Sequence, residues 1–166
     1  MDTSLDLDSF GLVCLAGVLG GAIGLEREIA DKPAGLRTHI FVASGAALLV
    51  LLAEGAMDFF QQQNADRQIA ADPIRVIQAI VVGISFLGAG TIVHHRGNQV
   101  EGLTTAASIF LTAGIGIAVA FDRIWLAVEV TGFALVVLVV VSFVQHRLLG
   151  KNPDAASVAG AEGDSE

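Results

Sequence analysis

Five long apolar segments constrain the fold of this 166-residue chain more than any other feature. The hydrocarbon core of a bilayer is about 30 Å thick, and an α-helix crosses it with about 20 apolar residues. The chain is therefore predicted to be an all-α, polytopic membrane protein with five transmembrane helices. These predicted spans are residues 8–25, 36–53, 76–93, 104–121 and 124–144.

The second predicted span is the least regular of the five. Its uninterrupted apolar part covers only residues 40–53, a length that also fits a re-entrant segment. Residues 54–60 bring in Glu54 and Asp58, so the alternative is a longer helix with a polar interruption. Residues 133–141, in the fifth span, are apolar on every side, which is typical of a lipid-exposed helix.

The composition excludes several classes of soluble protein. Hydrophobic residues make up 54% of the chain and charged residues 16%, where about 25% charged is usual in soluble domains. A domain of this length with so few charges cannot cover its surface in water. The formal net charge of −8 leaves no basic surface for phosphates, so we expect no nucleic-acid partner.

Sequence motifs give no sign of catalysis. The chain contains no Gly-x-Ser-x-Gly, P-loop or His-Glu-x-x-His motif, so neither hydrolysis nor nucleotide chemistry is indicated. His94, His95 and Arg96 suggest metal ligands, but only Glu101 is near, and a zinc site needs more ligands at suitable spacing. We therefore interpret these residues as a surface loop, assign no metal site, and expect a non-enzymatic protein without a cofactor.

Basic residues predict which side of the membrane each loop faces, because Lys and Arg accumulate in cytoplasmic loops. The loops after the first and third spans and the C-terminal end carry six of the nine Lys and Arg, against three on the opposite side. The N-terminus is therefore predicted outside and the C-terminus inside. Trp125, at the outer start of the fifth span, fits an interfacial anchor.

Two regions of different composition divide the chain. Residues 1–145 hold all five spans and are predicted to form one transmembrane domain. Residues 146–166 become small, polar and acidic after Gly150, and such a composition buries too little apolar area to fold. We expect these residues to form an acidic, disordered cytoplasmic tail.

Small residues recur at four-residue intervals in three spans, which is typical of close helix packing in lipid. The rows are Gly17 with Gly21 and Gly20 with Gly24 in the first span, Ala79 with Gly83 in the third, and Thr104, Ser108, Thr112 and Gly116 in the fourth. We interpret all of them as packing surfaces. At residues 88–90, Gly-Ala-Gly, the alternative is a bend that exposes backbone groups to an ion or to water.

Charged residues gather around the short connection between the first two spans. Glu26 and Arg27 follow the first span, and Arg37 precedes the second. Pro33 and Gly35 favour a tight turn between them over a continuous helix. Two interpretations stay open: buried carboxylate–guanidinium pairs that link the two spans, or side chains that extend to the headgroup level.

Glu129, Gln78 and Ser85 are three further polar residues inside predicted spans, where ionisable and polar groups are costly and therefore informative. Glu129 lies about five residues into the fifth span, roughly 8 Å deep at about 1.5 Å per residue. Gln78 lies early in the third span, with Ser85 on the same helical face. Because both spans begin on the outer side, we hypothesise that Gln78 and Glu129 meet in one polar cleft.

Four motifs in a fixed order carry a resemblance to a known family. They are Gly24-Leu25-Glu26-Arg27-Glu28, Ala34-Gly35-Leu36-Arg37-Thr38-His39, Gly83-Ile84-Ser85-Phe86-Leu87-Gly88-Ala89-Gly90 and Gly102-Leu103-Thr104-Thr105-Ala106-Ala107-Ser108. With these motifs in this order and spacing, the chain resembles the MgtC/SapB family of membrane proteins over residues 12–144. Many members also carry a soluble C-terminal domain, and the resemblance covers the transmembrane domain only.

The resemblance implies a fold, a location and a set of site residues. It implies a bacterial or archaeal inner-membrane protein, multi-pass in the cell membrane, commonly with five spans and an N-out, C-in arrangement. The family's motif positions are expected to form one polar cluster near the cytoplasmic ends of the first four spans. In this sequence they are Glu26, Arg27, Arg37, Thr38, Gly88, Gly90, Thr104 and Thr105.

The resemblance also implies a role in magnesium homeostasis. Family members are tied to growth at low magnesium and, in pathogens, to survival inside macrophages. They were first taken for magnesium transporters, and some look like regulators, including of the F-type ATP synthase. We therefore expect modulation of a membrane partner, with direct transport of Mg²⁺ or another divalent cation as the alternative. The expected partners are membrane lipid, a second copy of the chain, another membrane protein and Mg²⁺.

Overall fold

A computed structural model describes residues 3–63, 73–94 and 100–148. Within these ranges the fold is all-helical apart from one hairpin of two-residue strands. The elements, in chain order, are α1 (Thr3–Ile29), α2 (Leu36–Gln63), α3 (Pro73–Gly90), β1 (Val93–His94), β2 (Val100–Glu101), α4 (Leu103–Ala120) and α5 (Ile124–Leu148). All five predicted helices are present, and the third ends earlier than predicted because Val93 already belongs to β1.

Four of the helices are long and apolar enough to cross a membrane. Their apolar parts are Leu7–Ile29 of α1, Leu36–Met57 of α2, Leu103–Ala120 of α4 and Ile124–Val144 of α5. The apolar part of α3, Ile74–Gly90, is shorter. Because α2 is continuous over 28 residues, the irregular second segment is a long helix with a polar interruption. The least complete span is the third, not the second.

The connection between α1 and α2 is a tight turn, as the sequence predicts. Asp31 adopts a left-handed backbone conformation with φ of 53°. Its N–H donates to the carbonyl oxygen of Glu28 at 3.1 Å, and the N–H of Lys32 donates to that of Arg27 at 3.0 Å. These two bonds satisfy carbonyl groups at the end of α1 that have no partner inside the helix. The turn thereby pairs the carbonyl groups of Arg27 and Glu28 at the end of α1.

The connection between α3 and α4 contains the hairpin, in which β1 pairs with β2 in antiparallel register. Gly102 follows the hairpin with φ of 89°, a conformation that residues with a Cβ disfavour. A Cβ at this position would also collide with the carbonyl oxygen of Thr91. Gly102 is therefore required both for the turn into α4 and for the close approach of the two chain segments.

The Gly-Ala-Gly sequence at residues 88–90 does not form a bend, because α3 stays helical through Gly90. Gly88 is buried. A Cβ added to it would lie 3.5 Å from the Cβ of Ala106, at ordinary packing distance. The structure thus supports the packing interpretation of Gly88, against α4, and not backbone exposure.

The packed centre of the protein is made by α1, α2 and α4. Gly20 of α1 lies where the three helices meet, since a Cβ on it would come within 2.6 Å of the His39 carbonyl oxygen and 3.1 Å of Thr112 Cγ2. Gly116 of α4 approaches the carbonyl oxygen of Ala43 so closely that no Cβ fits. Small residues let helix backbones approach each other in lipid. The predicted packing rows of α1 and α4 are confirmed at these positions.

The corresponding row of α3 is open. No atom lies within 4 Å of the Cβ position of Gly83, and Ala79 is exposed. Thr104, at the start of the row on α4, is exposed as well. Among the described residues, no helix covers the α3 row or Thr104, so the packing interpretation gains no support there within a single chain.

The described residues divide into two units, one up to Leu135 and one from Val136. In the first, α5 buries a stripe of small residues, Ala127, Thr131 and Ala134. In the second, the guanidinium of Arg147 lies over the ring of Phe143, 5.7 Å from its centroid. Of the predicted acidic tail, residues 149–166 lie outside the described residues.

Candidate functional site

Polar side chains gather where α1 ends and α2 begins, next to the N-terminal half of α4. This group is called the α1–α2 polar cluster here, and it is built around three arrangements: an ion pair, a helix cap and a buried histidine. Its side chains are Glu26, Arg27, Glu28, His39 and Ser108, and the backbone carbonyl oxygens of Gly35 and Thr105 complete it.

The ion pair joins two neighbours on α1. The Nε and Nη2 atoms of Arg27 donate to the two carboxylate oxygens of Glu26 at 2.5 and 2.7 Å. Arg27 is only 4% exposed. A charge buried this far needs a partner, because leaving it unpaired is far more costly than exposing it. The pair lies within one helix, so it is not the link between the first two spans that the sequence suggested as one interpretation.

The link between these helices is a helix cap. Glu28 Oε2 accepts a hydrogen bond from the backbone N–H of Leu36 at 2.7 Å. This N–H is one of the groups at the start of α2 that have no partner inside the helix, and a carboxylate is favourable there. Gly35 leaves the space for it, because a Cβ on Gly35 would collide with Glu28 Oε2. The cap thus fixes the end of α1 against the start of α2.

The buried histidine connects α2 to α4. His39 is 0% exposed. Its Nδ1 atom lies 2.9 Å from the carbonyl oxygen of Gly35, which only accepts hydrogen bonds, so Nδ1 carries a hydrogen. Its Nε2 atom lies 3.2 Å from Ser108 Oγ. The same hydroxyl lies 2.8 Å from the carbonyl oxygen of Thr105. His39 is therefore one end of a hydrogen-bond chain into α4.

Two hydrogen arrangements satisfy this chain. With a neutral ring, the Ser108 hydroxyl donates to Nε2 of His39. With a protonated ring, Nε2 donates to Ser108 Oγ, and the hydroxyl turns to donate to the Thr105 carbonyl oxygen. The Glu26–Arg27 pair is near enough to His39 to act on it electrostatically. The arrangement therefore couples the charge of one buried ring to the orientation of a hydroxyl on another helix.

A second feature is a lateral groove of about 620 Å³ between α2 and α3. The α2 side runs from Thr38 to Leu49 and the α3 side from Val76 to Leu87. Thr38 is the one polar side chain in its lining, and it lies at the same end of α2 as the polar cluster. The floor includes Gly83, whose Cβ position is open. We call this feature the α2–α3 groove.

A family profile covers both features. The profile of the MgtC family matches residues 13–147, which include the polar cluster, the α2–α3 groove and Glu129. The chain belongs to the MgtC family. The resemblance drawn from the four sequence motifs is therefore confirmed, and the protein is a multi-pass membrane protein of this family.

Several MgtC-family relatives align with most of this chain. The putative magnesium transporter YhiD of Escherichia coli is 37% identical over 139 residues, 83% of this chain and 62% of its own length. SapB of Bacillus subtilis is 36% identical over 114 residues, 69% of this chain and 48% of its own. MgtC of Brucella abortus is 40% identical over 126 residues, 75% of this chain and 48% of its own length. The chain thus spans about half the length of these curated relatives. No solved structure matches the chain.

The structure brings together part of the predicted MgtC-family motif set. Glu26, Arg27 and Thr105 belong to the polar cluster. Thr38 lines the groove. Gly88 packs against Ala106 between α3 and α4.

The remaining motif residues lie elsewhere. Arg37 is exposed and forms no ion pair with another residue in the described ranges. This placement agrees with the interpretation in which the side chain extends to the headgroup level. Gly90 and Thr104 are also exposed. The single cluster expected from the motifs is thus divided between a buried centre and a surface.

The three predicted intramembrane residues are all exposed: Gln78, Ser85 and Glu129. Ser85 Oγ donates to the carbonyl oxygen of Val81 in its own helix at 2.7 Å. Within the part of the chain that the structure describes, no hydrogen bond joins Gln78 to Glu129. The hypothesis of one polar cleft inside a single chain gains no support from these positions.

Sequence reasoning missed His39, Ser108 and Glu28 as site residues. His39 stands inside a quoted motif, and Ser108 stands in the four-residue row of α4, so both carried a signal. Neither signal says that the two side chains meet, because 69 residues separate them. The pairing of Glu28 with the start of α2 depends on the turn geometry, which composition does not encode.

Proposed function

We propose that this protein is a non-enzymatic, multi-pass protein of the cell membrane that acts in magnesium homeostasis by binding the transmembrane helix of a partner. The name of one relative, putative magnesium transporter YhiD, supports the link to magnesium. The observation that carries the mode of action is the α2–α3 groove, an apolar cavity of about 620 Å³ that opens sideways on the protein.

The shape of the groove favours a helix as its occupant. Each wall covers twelve residues, and its ends are about 16 Å or three turns apart at about 1.5 Å per residue. Apolar walls give a transmembrane helix the close van der Waals packing that drives association in lipid. Thr38 supplies one hydroxyl at the end near the polar cluster, so the partner helix is expected to carry one hydrogen-bonding group at that level.

The packed centre offers less to a transported ion. A magnesium path needs several oxygen ligands or waters in a polar passage. In residues 3–63, 73–94 and 100–148, no group of three or more His, Cys, Asp or Glu could hold a metal ion. Backbone contact at Gly20 and Gly116 fills the space between α1, α2 and α4. These points support modulation of a partner over conduction through one chain.

Filling the groove tests the proposal. Gly83→Leu adds a side chain to the lining of the groove at a position where no atom lies within 4 Å of the new Cβ. In a strain that lacks the chromosomal gene, this variant is expected to lose growth at low magnesium while its amount in the membrane stays unchanged. Gly114→Leu is the matched control, since Gly114 is also helical and also open. Equal growth of the two variants would contradict the proposal.

Direct transport of Mg²⁺ or another divalent cation is the second candidate. It is favoured by the name of the YhiD relative and by Glu129, a carboxylate within the apolar part of α5. The test is uptake of radioactive magnesium into liposomes that contain purified protein. Flux no greater than in empty liposomes is expected under the modulation proposal. Robust flux that Glu129→Gln abolishes would reverse the ranking.

The orientation in the membrane belongs to the same proposal. We propose the N-terminus outside and the C-terminus inside, from the distribution of Lys and Arg. Single cysteines in a Cys14→Ser background report it, since Cys14 is the chain's one cysteine. A cysteine at Lys32 is expected to be inaccessible to an impermeant maleimide in intact cells, and one at Asp122 accessible. The reverse labelling would invert the topology.

A further inference from the structure

Two exposed polar side chains lie equally far from the starts of their helices. Gln78 is the fifth residue after Pro73, the first of α3, and Glu129 is the fifth after Ile124, the first of α5. Each is therefore about 8 Å from the start of its helix at about 1.5 Å per residue. Since membrane spans alternate in direction, α3 and α5 begin on the same side. The carboxylate and the amide thus lie at the same level.

In the described residues of one chain, Gln78 and Glu129 form no hydrogen bond with each other. Both side chains are exposed. On α5, Glu129 points away from the buried stripe that holds Ala127 and Thr131, because it lies about 200° around the helix from Ala127 at about 100° per residue. A carboxylate that faces lipid is costly, and such residues in membrane proteins lie against a polar partner. No residue in the described part of the chain forms an ion pair or a side-chain hydrogen bond with Glu129, so a second chain is the partner to consider.

A second copy of the chain supplies a matching group. All copies insert with the same orientation, so Gln78 of one copy and Glu129 of another lie at the same depth without any adjustment. The amide N–H of Gln78 donates to the carboxylate of Glu129. A hydrogen bond between charged and neutral partners is strengthened where no water competes.

The surfaces around the two groups fit the same contact. Next to Gln78, one and two turns along α3, Val82 is 69% exposed and Phe86 is 85% exposed. On α5, Phe133 is 67% exposed, one turn beyond Glu129. Between them Gly132 leaves a gap, with no atom within 4 Å of its Cβ position. Small residues of this kind let a neighbouring helix approach closely in lipid.

From these observations we infer that copies of this protein associate in the membrane through α3 of one copy and α5 of the next, with Gln78 hydrogen-bonded to Glu129. The two surfaces are different parts of one chain, so the contact is heterologous. Every copy offers both surfaces, and a ring forms when the rotation between neighbours closes. The inference is independent of the α2–α3 groove, because Val82 and Gln78 lie on the side of α3 away from its lining.

Cysteine crosslinking between two differently tagged copies tests the contact while Gln78 and Glu129 stay in place. In a Cys14→Ser background, one copy carries Val82→Cys and the other Phe133→Cys. If the helices pack in register, residues four positions after Gln78 and Glu129 also meet. We expect a disulfide that joins the two tags in native membranes. The matched control replaces Val82→Cys by Leu52→Cys, an α2 residue that is 59% exposed, and is expected to give background crosslinking only.

Substitutions at the polar pair show whether the hydrogen bond contributes. Glu129→Leu and Gln78→Leu are each expected to lower the crosslinked fraction by about fivefold, in line with interhelical hydrogen bonds measured in membranes. Glu129→Gln keeps a hydrogen-bonding group and is expected to retain most of the crosslink. Both residues are exposed, so these changes are expected to leave the packed centre intact. Elution of each purified variant at the position of the folded protein verifies this.

Three results would overturn the inference. The first is equal crosslinking between two Val82→Cys copies or two Phe133→Cys copies, which indicates a symmetric contact or random collision. The second is a crosslinked fraction that neither leucine substitution changes. The third is a disulfide within one doubly substituted copy that persists on dilution with cysteine-free copies, which would place the Gln78–Glu129 contact inside a single chain. None of these results bears on growth of the Gly83→Leu variant, so the two proposals fail separately.

Discussion

Gly20 of α1 and Gly116 of α4 lie in an environment opposite to that of Gly83 of α3 and Gly132 of α5. Gly20 and Gly116 lie against the backbone of α2 with no room for a methyl group. Gly83 and Gly132 face open space. In lipid, a small residue is useful only where another helix approaches it. The comparison teaches that one half of the molecule completes its packing internally, while the other half presents small residues and polar groups outward.

Gly116→Ala is expected to lower the free energy of unfolding more than any other substitution proposed here. A small effect would contradict the contrast between packed and open glycines. Its Cβ would collide with the carbonyl oxygen of Ala43, and backbone cannot rotate away as a side chain can. We expect a loss of about 3 kcal/mol in the free energy of unfolding. Gly114→Ala is the control two residues away, open in space, and is expected to be neutral or stabilising by up to about 1 kcal/mol.

The measurement for this pair is unfolding in mixed micelles, followed by helical circular dichroism at increasing SDS fraction. Equal midpoints for the Gly116 and Gly114 variants would mean that α2 and α4 do not approach as closely as the backbone contact requires.

His39→Ala is expected to cost about 2 kcal/mol, because it removes a fully buried ring together with its hydrogen bonds to Ser108 Oγ and to the Gly35 carbonyl oxygen. Ser108→Ala in the same chain is expected to add less than it costs alone, with about 1 kcal/mol of coupling. Thr131→Ala is the control, since the Thr131 hydroxyl bonds only its own helix at Ala127. Its effect is expected to add to that of His39→Ala. If the effects of Ser108→Ala and His39→Ala were fully additive as well, the result would contradict the hydrogen-bond chain between α2 and α4.

Gly35→Ala sharpens the comparison at the edge of the packed region. The new Cβ displaces the Glu28 carboxylate from the N–H of Leu36. Because a flexible side chain moves and no backbone does, the expected loss is only about 1 kcal/mol, that of a helix cap. A chain with both Gly35→Ala and Glu28→Ala is expected to be no less stable than either single variant. A clearly larger loss of stability in the double variant would show that Gly35 and Glu28 do not act through the same helix cap.

Leu126→Ala is expected to have the smallest effect, within about 0.5 kcal/mol. Leu126 is 52% exposed on α5, and lipid tails are as apolar as the side chain that is removed. Its neighbour Ala127 is 0% exposed. Ala127→Leu is therefore the contrasting change and is expected to destabilise by about 2 kcal/mol. If both substitutions were neutral, α5 would pack no more closely than a free helix.

Hydropathy alone predicted the number and order of the helices, because the bilayer sets the length that each apolar run must have. It did not predict correctly which span is the least complete. The second run looked short because Glu54 interrupts it, yet α2 continues through the interruption. The third looked sufficient because Ile92 and Val93 were counted with it, although the helix ends at Gly90 and Val93 pairs in a strand.

The site was predictable only in part for a similar reason. Glu26 and Arg27 were predicted as site residues, but the sequence left open whether they are buried, and their pairing within one helix was not predicted. Contact between His39 and Ser108 depends on how α2 and α4 cross, and that crossing is set by Gly116 and Gly20 rather than by the polar residues themselves. A motif shows that residues belong together, and only the helix packing shows which atoms meet.

The close approach at Gly20 and Gly116 has a consequence for what α2 presents to its neighbours. The hydrogens that replace a Cβ on these glycines point at the carbonyl oxygens of His39 and Ala43, one helical turn apart. Such contacts are weak Cα–H···O=C hydrogen bonds, which recur at helix–helix interfaces. α1 and α4 therefore both contact the same stretch of the α2 main chain. These contacts are made to backbone carbonyl groups, which every amino acid supplies alike.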